Sequence, residues 1–161
     1  MQEYEYSFKV ESVEPYIDYC IENGYTKIKE SIQNRIVYQS LNNEHLIARI
    51  TSTVVNDENE EILDFKNFSE KHKELQVSDE SIPFIVNDDN RATIMSMLEV
   101  LDFEESADNT RKRVVYQNDD VIFEIDEYIT PKMNVVAIEG NKEKVDLIYE
   151  EVSKKINNEI K

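Results

Sequence analysis

Residues 3–10 read EYEYSFKV, and the alternation is unbroken. Glu3, Glu5, Ser7 and Lys9 share one face of an extended chain, and Tyr4, Tyr6, Phe8 and Val10 share the other. This predicts a strand with a charged side and an aromatic side. The same text recurs along the chain. Residues 33–40 place Gln33, Arg35, Val37 and Gln39 together, and residues 45–53 place Arg49, Thr51 and Thr53 together. Residues 62–66 set Asp64 and Lys66 opposite Leu63 and Phe65. Strands are also predicted over 111–117, with Arg111, Arg113 and Val115 on one face, over 121–128, with Glu124 and Asp126 on one face, and over 133–139, with Val135, Ala137 and Glu139 together. Polar turns are expected at 41–44, 56–61 and 118–120, and ITPK at 129–132 turns the chain. Residues 67–88 are ambiguous, with HKELQV at 72–77 readable as a strand.

Three helices complete the set. One is predicted over 13–23, N-capped by Ser12, stopped by Gly24 and buried along Val13, Ile17, Cys20 and Ile21. A second, over 90–101, is capped by Asp88 or Asp89 and buried along Ile94, Met97, Leu98 and Leu101. The last, from Lys142 to about Asn157, buries Val145, Ile148, Tyr149, Val152 and Ile156. Two stretches are nearly identical: RIVYQ at 35–39 and RVVYQ at 113–117 are 78 residues apart, and the same offset sets Tyr25 on Phe103. A duplicated unit, with two related halves in one domain, accounts for both.

Composition removes several functions. The net charge of −17 disfavours a general grip on nucleic acid or anionic lipid. Gly24 and Gly140 are the only glycines, too few for a phosphate loop or a dinucleotide fingerprint. His45 and His72 are the only histidines and lack zinc-site spacing, so a metal would need carboxylates, which suit Mg²⁺, Mn²⁺ or Ca²⁺. The lone Cys20 allows no internal disulfide. No membrane-length apolar stretch and no signal peptide are read, so a cytoplasmic protein is expected.

An open sheet would turn its charged faces to water. A closed barrel would turn them inward, with helices covering the apolar outside. Such a lumen is costly when dry and empty, and it suits a polyphosphate bound with a divalent cation.

In that form the residues resemble a known family. EYEYSFK is similar to the Glu-x-Glu-x-Lys opening of the CYTH domain, the triphosphate tunnel metalloenzymes. LIAR at 46–49 resembles its Leu-Arg-x-Arg strand, LDFK at 63–66 its strand ending in a substrate-binding Lys, and RKRVVY at 111–116 its basic strand. FEIDEY at 123–128 and VAIEG at 136–140 resemble its two acidic closing strands. The resemblance implies an α+β fold over residues 1–161: a closed antiparallel β-barrel, or tunnel, with two related halves and helices packed outside. It implies Mg²⁺ or Mn²⁺ as cofactor and a small-molecule triphosphate as substrate: ATP, tripolyphosphate or thiamine triphosphate. Nucleic acid and membrane are not expected partners, and a homodimer is left open. The implied activity is metal-dependent hydrolysis. The alternatives are a class IV adenylate cyclase making cyclic AMP, or a degenerate binding module with little turnover.

Carried over residue by residue, Glu3, Glu5, Asp126 and Glu139 match metal ligands, the first three with catalytic roles. Lys9, Arg49, Lys66, Arg111 and Arg113 match phosphate-binding positions. Arg35 joins them through its equivalence to Arg113 in the repeat. Three positions depart from the pattern: Ser7 replaces a Lys, Ile47 an Arg, and Ala137 the first closing Glu. Glu124, on the face of Asp126, is the residue that would offset Ala137.

Overall fold

The computed structural model describes residues 2–160, with side chains placed through residue 155. Its elements run β1 (Gln2–Val10), α1 (Glu14–Glu22), β2 (Thr26–Ser40), β3 (Leu46–Val55), β4 (Glu58–His72), β5 (Leu75–Glu80), β6 (Phe84–Ile85), α2 (Arg91–Val100), β7 (Phe103–Gln117), β8 (Val121–Thr130), β9 (Met133–Gly140) and α3 (Lys142–Ile160). The sheet order is β3-β2-β7-β8-β9-β1-β5-β4-β6, and β3 also pairs with β4. That last ladder closes eight antiparallel strands into a barrel, with β6 as a short addition beside β4. Closure leaves the eight strands without a free edge and gives the charged faces an inside.

The barrel is apolar outside and polar inside. One core packs the outer face of β1, β8 and β9 against α1 and α3, through Phe123, Ile125, Val136, Ile138, Val145 and Val152, each no more than 1% exposed. Tyr4 and Tyr6 donate hydrogen bonds to Asp146 at 2.6 and 2.8 Å, and Tyr6 stacks on Tyr149, so α3 pins β1. A smaller core sets Ile94 and Leu98 of α2 against Tyr38, Ala48, Ile50 and Leu63. No helix among the described residues is long and apolar enough to cross a membrane.

The expected duplication is visible in the topology. The first half runs β1-α1-β2-β3-β4 and the second runs β5-(β6)-α2-β7-β8-β9, with α3 added. Exchanging the halves maps the closed strand order onto itself, about an axis through the β2–β7 and β1–β5 ladders. Starting from Arg35 on Arg113, the ladders set Arg49 on Glu124, Asp64 on Ala137, Lys66 on Glu139, and Glu80 on Glu5. The repeat kept the backbone, and two of these pairs, Arg49 with Glu124 and Lys66 with Glu139, have opposite charges.

Several local expectations are corrected. The predicted turn at 56–61 is only Asn56-Asp57, both with positive φ, and it joins Val55 to Glu58 in a two-residue hairpin. β2, β4 and β7 are each 15 residues long, well beyond the alternating segments. The ambiguous region contains β5, and Lys73, expected in a strand, sits at positive φ in the preceding turn. Ile21, Met97 and Leu101 are exposed rather than buried, because Tyr16 and Tyr19 take the barrel side of α1 and α2 buries only Ile94 and Leu98. Val13, not Ser12, stands at the N-cap of α1. Ahead of α2, Asn87 rather than Asp88 or Asp89 accepts from the Asp89 and Asn90 N–H groups. The side chain of Ile156 lies outside the described residues. Gly140 is required where it is: a Cβ there would lie 2.2 Å from the Asp120 carbonyl oxygen.

Candidate functional site

The barrel encloses a cavity of about 440 Å³. Of the residues expected to serve a site, Glu3, Glu5, Arg35, Arg49, Lys66, Arg111, Arg113, Asp126 and Glu139 all line it. Lys9 does not: it shares the inner face of β1 but lies exposed beyond the lining. Ser7, Ile47 and Ala137, the three departures, also face the cavity. Residues far apart in sequence meet here because β8, β9, β1 and β5 are consecutive in the sheet.

The lumen has an acidic side. Carboxylate oxygens of Glu5, Glu124 and Glu139 all lie within 4.8 Å of one another. Burial pushes Glu139 up to about 9, with Glu124, Glu5 and Glu3 adding repulsion. Burial also raises Glu5, although Lys66 opposes it. Glu3 faces Glu80 rather than the triad, and burial followed by Glu80 raises it to about 7. Burial alone would raise Glu124 too, but Arg113, Arg35 and Arg111 outweigh it and hold it below the usual range. All-oxygen donors converging this closely fit a hard divalent cation such as Mg²⁺ or Mn²⁺. Asp126, expected near a second metal, instead accepts two hydrogen bonds from Arg113 at 2.8 and 2.9 Å.

The cations divide into satisfied and available groups. Arg113 is held by Asp126 and by Glu124 at 2.5 Å, and Arg49 by Asp64 at 2.9 and 2.5 Å and by Glu80 at 3.2 Å. Lys66 is held loosely, 3.5 Å from both Glu5 and Glu80. Arg111 donates to neutral acceptors, Gln33 at 3.0 and 2.9 Å and the Tyr128 hydroxyl at 2.9 Å, with Asp126 only at 4.0 Å. Arg35 donates to Thr51 at 3.0 Å and has no ion pair within 4.0 Å among the described residues. Burial and the neighbouring Arg111, Arg49 and Arg113 disfavour its charged form. Such a guanidinium calls for an anion. Sequence reasoning missed Glu80 because β5 was not resolved as a strand. Gln33 and Tyr128 carry no charge and give no such signal.

A stability consequence follows from Glu139 and Glu3. Their folded-state values lie above the ordinary 4.5, so the native protein holds protons that the unfolded chain has released. The associated stability is full below pH 4.5 and is lost as pH rises through about 7 for Glu3 and about 9 for Glu139. A bound divalent cation would replace those protons. The rise in melting temperature given by Mg²⁺ should therefore grow from about pH 6 to about pH 9. A rise independent of pH would place the cation away from these carboxylates.

No protein-family model matches the sequence, and no curated protein matches it. Solved structures do. The PH1819 protein of Pyrococcus horikoshii superposes with a TM-score of 0.68 at 18% identity, over 97% of this chain and 89% of that one. HpAC1 of Hippeastrum, an adenylyl-cyclase candidate with a dominant triphosphatase activity, gives 0.66 at 15% identity, over 95% and 87%. A chain of the Schizosaccharomyces pombe Mediator head module gives 0.63 at 10% identity, over 98% and 96%. At these identities the likeness is one of fold, and the fold serves more than one purpose. An eight-stranded antiparallel barrel with its charges inside and its helices outside is the fold that this chain shares with those structures.

Proposed function

We propose that the tunnel binds a triphosphate with Mg²⁺ or Mn²⁺ and hydrolyses it. One observation carries this reading: a triad of carboxylates within 4.8 Å shares a lumen with Arg35 and Arg111, two guanidiniums that no carboxylate holds closely. The acidic side suits a cation and the basic side suits phosphate oxygens. The triphosphatase activity of HpAC1, on the same fold, supports it. Glu5, Glu124 and Glu139 would hold the cation, which when bound neutralises phosphate charge and acidifies a water. Arg35, Arg111 and Lys66 bind the phosphate chain and offset charge building on the leaving phosphate. Glu3, at about 7, is poised to take a proton from the attacking water near neutral pH. Asp126 and Arg113 fix one another in the wall between the two sides.

Release of phosphate, pyrophosphate and cyclic nucleotide from tripolyphosphate and ATP, with Mg²⁺ and with Mn²⁺, tests this. Metal-dependent phosphate is the expected product. Cyclic AMP from ATP would instead assign the cyclase. A second reading rests on the satisfied pairs: Arg49 and Arg113 are already neutralised internally, and Ser7, Ile47 and Ala137 remove further charges. That tunnel would hold a triphosphate without cleaving it. A ligand-dependent thermal shift without product would establish that reading.

Arg35→Ala separates ligand binding from folding. Arg35 sits among like charges, so its removal should leave the melting temperature unchanged or raise it. Affinity for tripolyphosphate should fall at least about tenfold, the loss of one charge-assisted contact pair. Calorimetric titration reads the affinity and a melting curve the stability, and undiminished affinity would remove Arg35 from the phosphate site.

A further inference from the structure

We propose that one mouth of the tunnel seats a flat heteroaromatic group, so that the ligand is an organic triphosphate ester rather than inorganic tripolyphosphate. This rests on the triphosphate tunnel proposed above and names its substrate class. The eight strands alternate in direction around the barrel, so β1, β2, β4 and β8 end at the mouth where β3, β5, β7 and β9 begin. Among the described residues, the outermost lining residue of every strand at that mouth is uncharged. Val37, Ile47, Phe68 and Val135 are apolar, and Ser7, Gln76, Asn109 and Tyr128 are neutral and polar. At the opposite end the outermost lining residue of every strand is charged, Glu3, Glu80, Glu124 and Glu139 among them.

A polyphosphate is ionised along its whole length, and burying such charge against apolar walls is costly. The charged end and the middle of the tunnel therefore take the phosphates, and the uncharged mouth is left for a group without charge. Apolar walls with a few polar groups to orient a ligand are what small organic molecules occupy. Two rings stand where the mouth meets the charged middle, each beside a cation. Lys66 Nζ is 3.5 Å from both Glu5 and Glu80, and it lies 5.2 Å from the centroid of the half-buried Phe68 ring. Exposed Lys71, 5.1 Å from the same centroid, helps to hold that ring in place. Tyr128 accepts from Arg111 at 2.9 Å, with the guanidinium 5.6 Å from its ring centroid. A phosphate drawn to Lys66 and Arg111 places its ester group beside these rings. A flat heteroaromatic group gains from stacking there, and Phe68, which forms no hydrogen bond of its own, is the ring free to take it.

The test compares two probes, ATP and tripolyphosphate, each with Mg²⁺, on the unaltered chain, Phe68→Ala and Phe68→Tyr. Affinity is read from the rise of melting temperature with ligand concentration. In Phe68→Ala the affinity for ATP should fall at least about fivefold more than the affinity for tripolyphosphate. Phe68→Tyr keeps a ring and should keep the ratio of the unaltered chain. Phe68→Leu, which keeps apolar bulk without a ring, replaces Phe68→Ala if that variant does not fold. An unchanged ratio in Phe68→Ala overturns the inference: if both affinities fall together, Phe68 acts only by holding Lys66. A ratio that falls as far in Phe68→Tyr as in Phe68→Ala also overturns it. So does an unaltered chain that binds tripolyphosphate but not ATP, and each of these results leaves the triphosphate tunnel standing. Binding of neither probe by the unaltered chain overturns the tunnel itself.

Discussion

Glu5→Gln should abolish metal-dependent phosphate release, by at least about 100-fold in kcat, while the melting temperature stays unchanged or rises. The two effects part because of where Glu5 sits. It is 8% exposed, one of three carboxylates within 4.8 Å, and burial already disfavours its charge. A neutral amide of the same shape removes that cost in the metal-free protein. Lys66 loses one partner at 3.5 Å and keeps Glu80 at the same distance. What disappears is a negative ligand at the centre of the acidic side. Steady-state phosphate release and a melting curve on one preparation suffice. Full turnover in Glu5→Gln would sink the metal assignment.

Arg113→Ala should do the reverse and strike stability hardest. Arg113 bridges Asp126, which is 3% exposed, and Glu124, so one deletion strips the close cation from two buried carboxylates. Breaking a buried pair from one side costs about 3–5 kcal/mol, chiefly for the charge left behind. Urea denaturation should show a loss of that order, and Mn²⁺ should recover part of it by neutralising Glu124. Among folded molecules, tripolyphosphate binding should weaken more than pyrophosphate binding. A variant as stable as the unaltered chain would mean that these carboxylates do not need Arg113. Arg35→Ala, with the same change of side chain and the opposite expected effect on melting, is the internal comparison.

The barrel was legible because EYEYSFKV and its successors alternate so strictly that their charged faces demanded an inside. The two halves were legible in RIVYQ and RVVYQ. What stayed hidden has physical reasons. The first turns of β2, TKIKE, carry Ile28 exposed among charges and bury nothing, so no period marks them. β5 is short and ends in SDE, which reads as a turn, and with it went Glu80. Ile21, Met97 and Leu101 are apolar yet exposed, because periodicity marks a stripe but not which edge of it meets the sheet. Nine of the ten residues expected at a site line the lumen, and Lys9 does not. The ion pairs among them were not legible, since which carboxylate meets Arg113 depends on register between strands.

The clasp of Tyr4 and Tyr6 on Asp146 has a consequence for synthesis on the ribosome. β1 pairs with β5 and β9, and its outer face is covered by α3. β1 must therefore wait, with Tyr4, Tyr6, Phe8 and Val10 lacking that cover, until the chain has been made as far as Asp146, 140 residues beyond Tyr6. The barrel therefore cannot close outward from β1. Ring closure is a late, long-range event, of the kind that slows folding and leaves nascent strands open to chaperones.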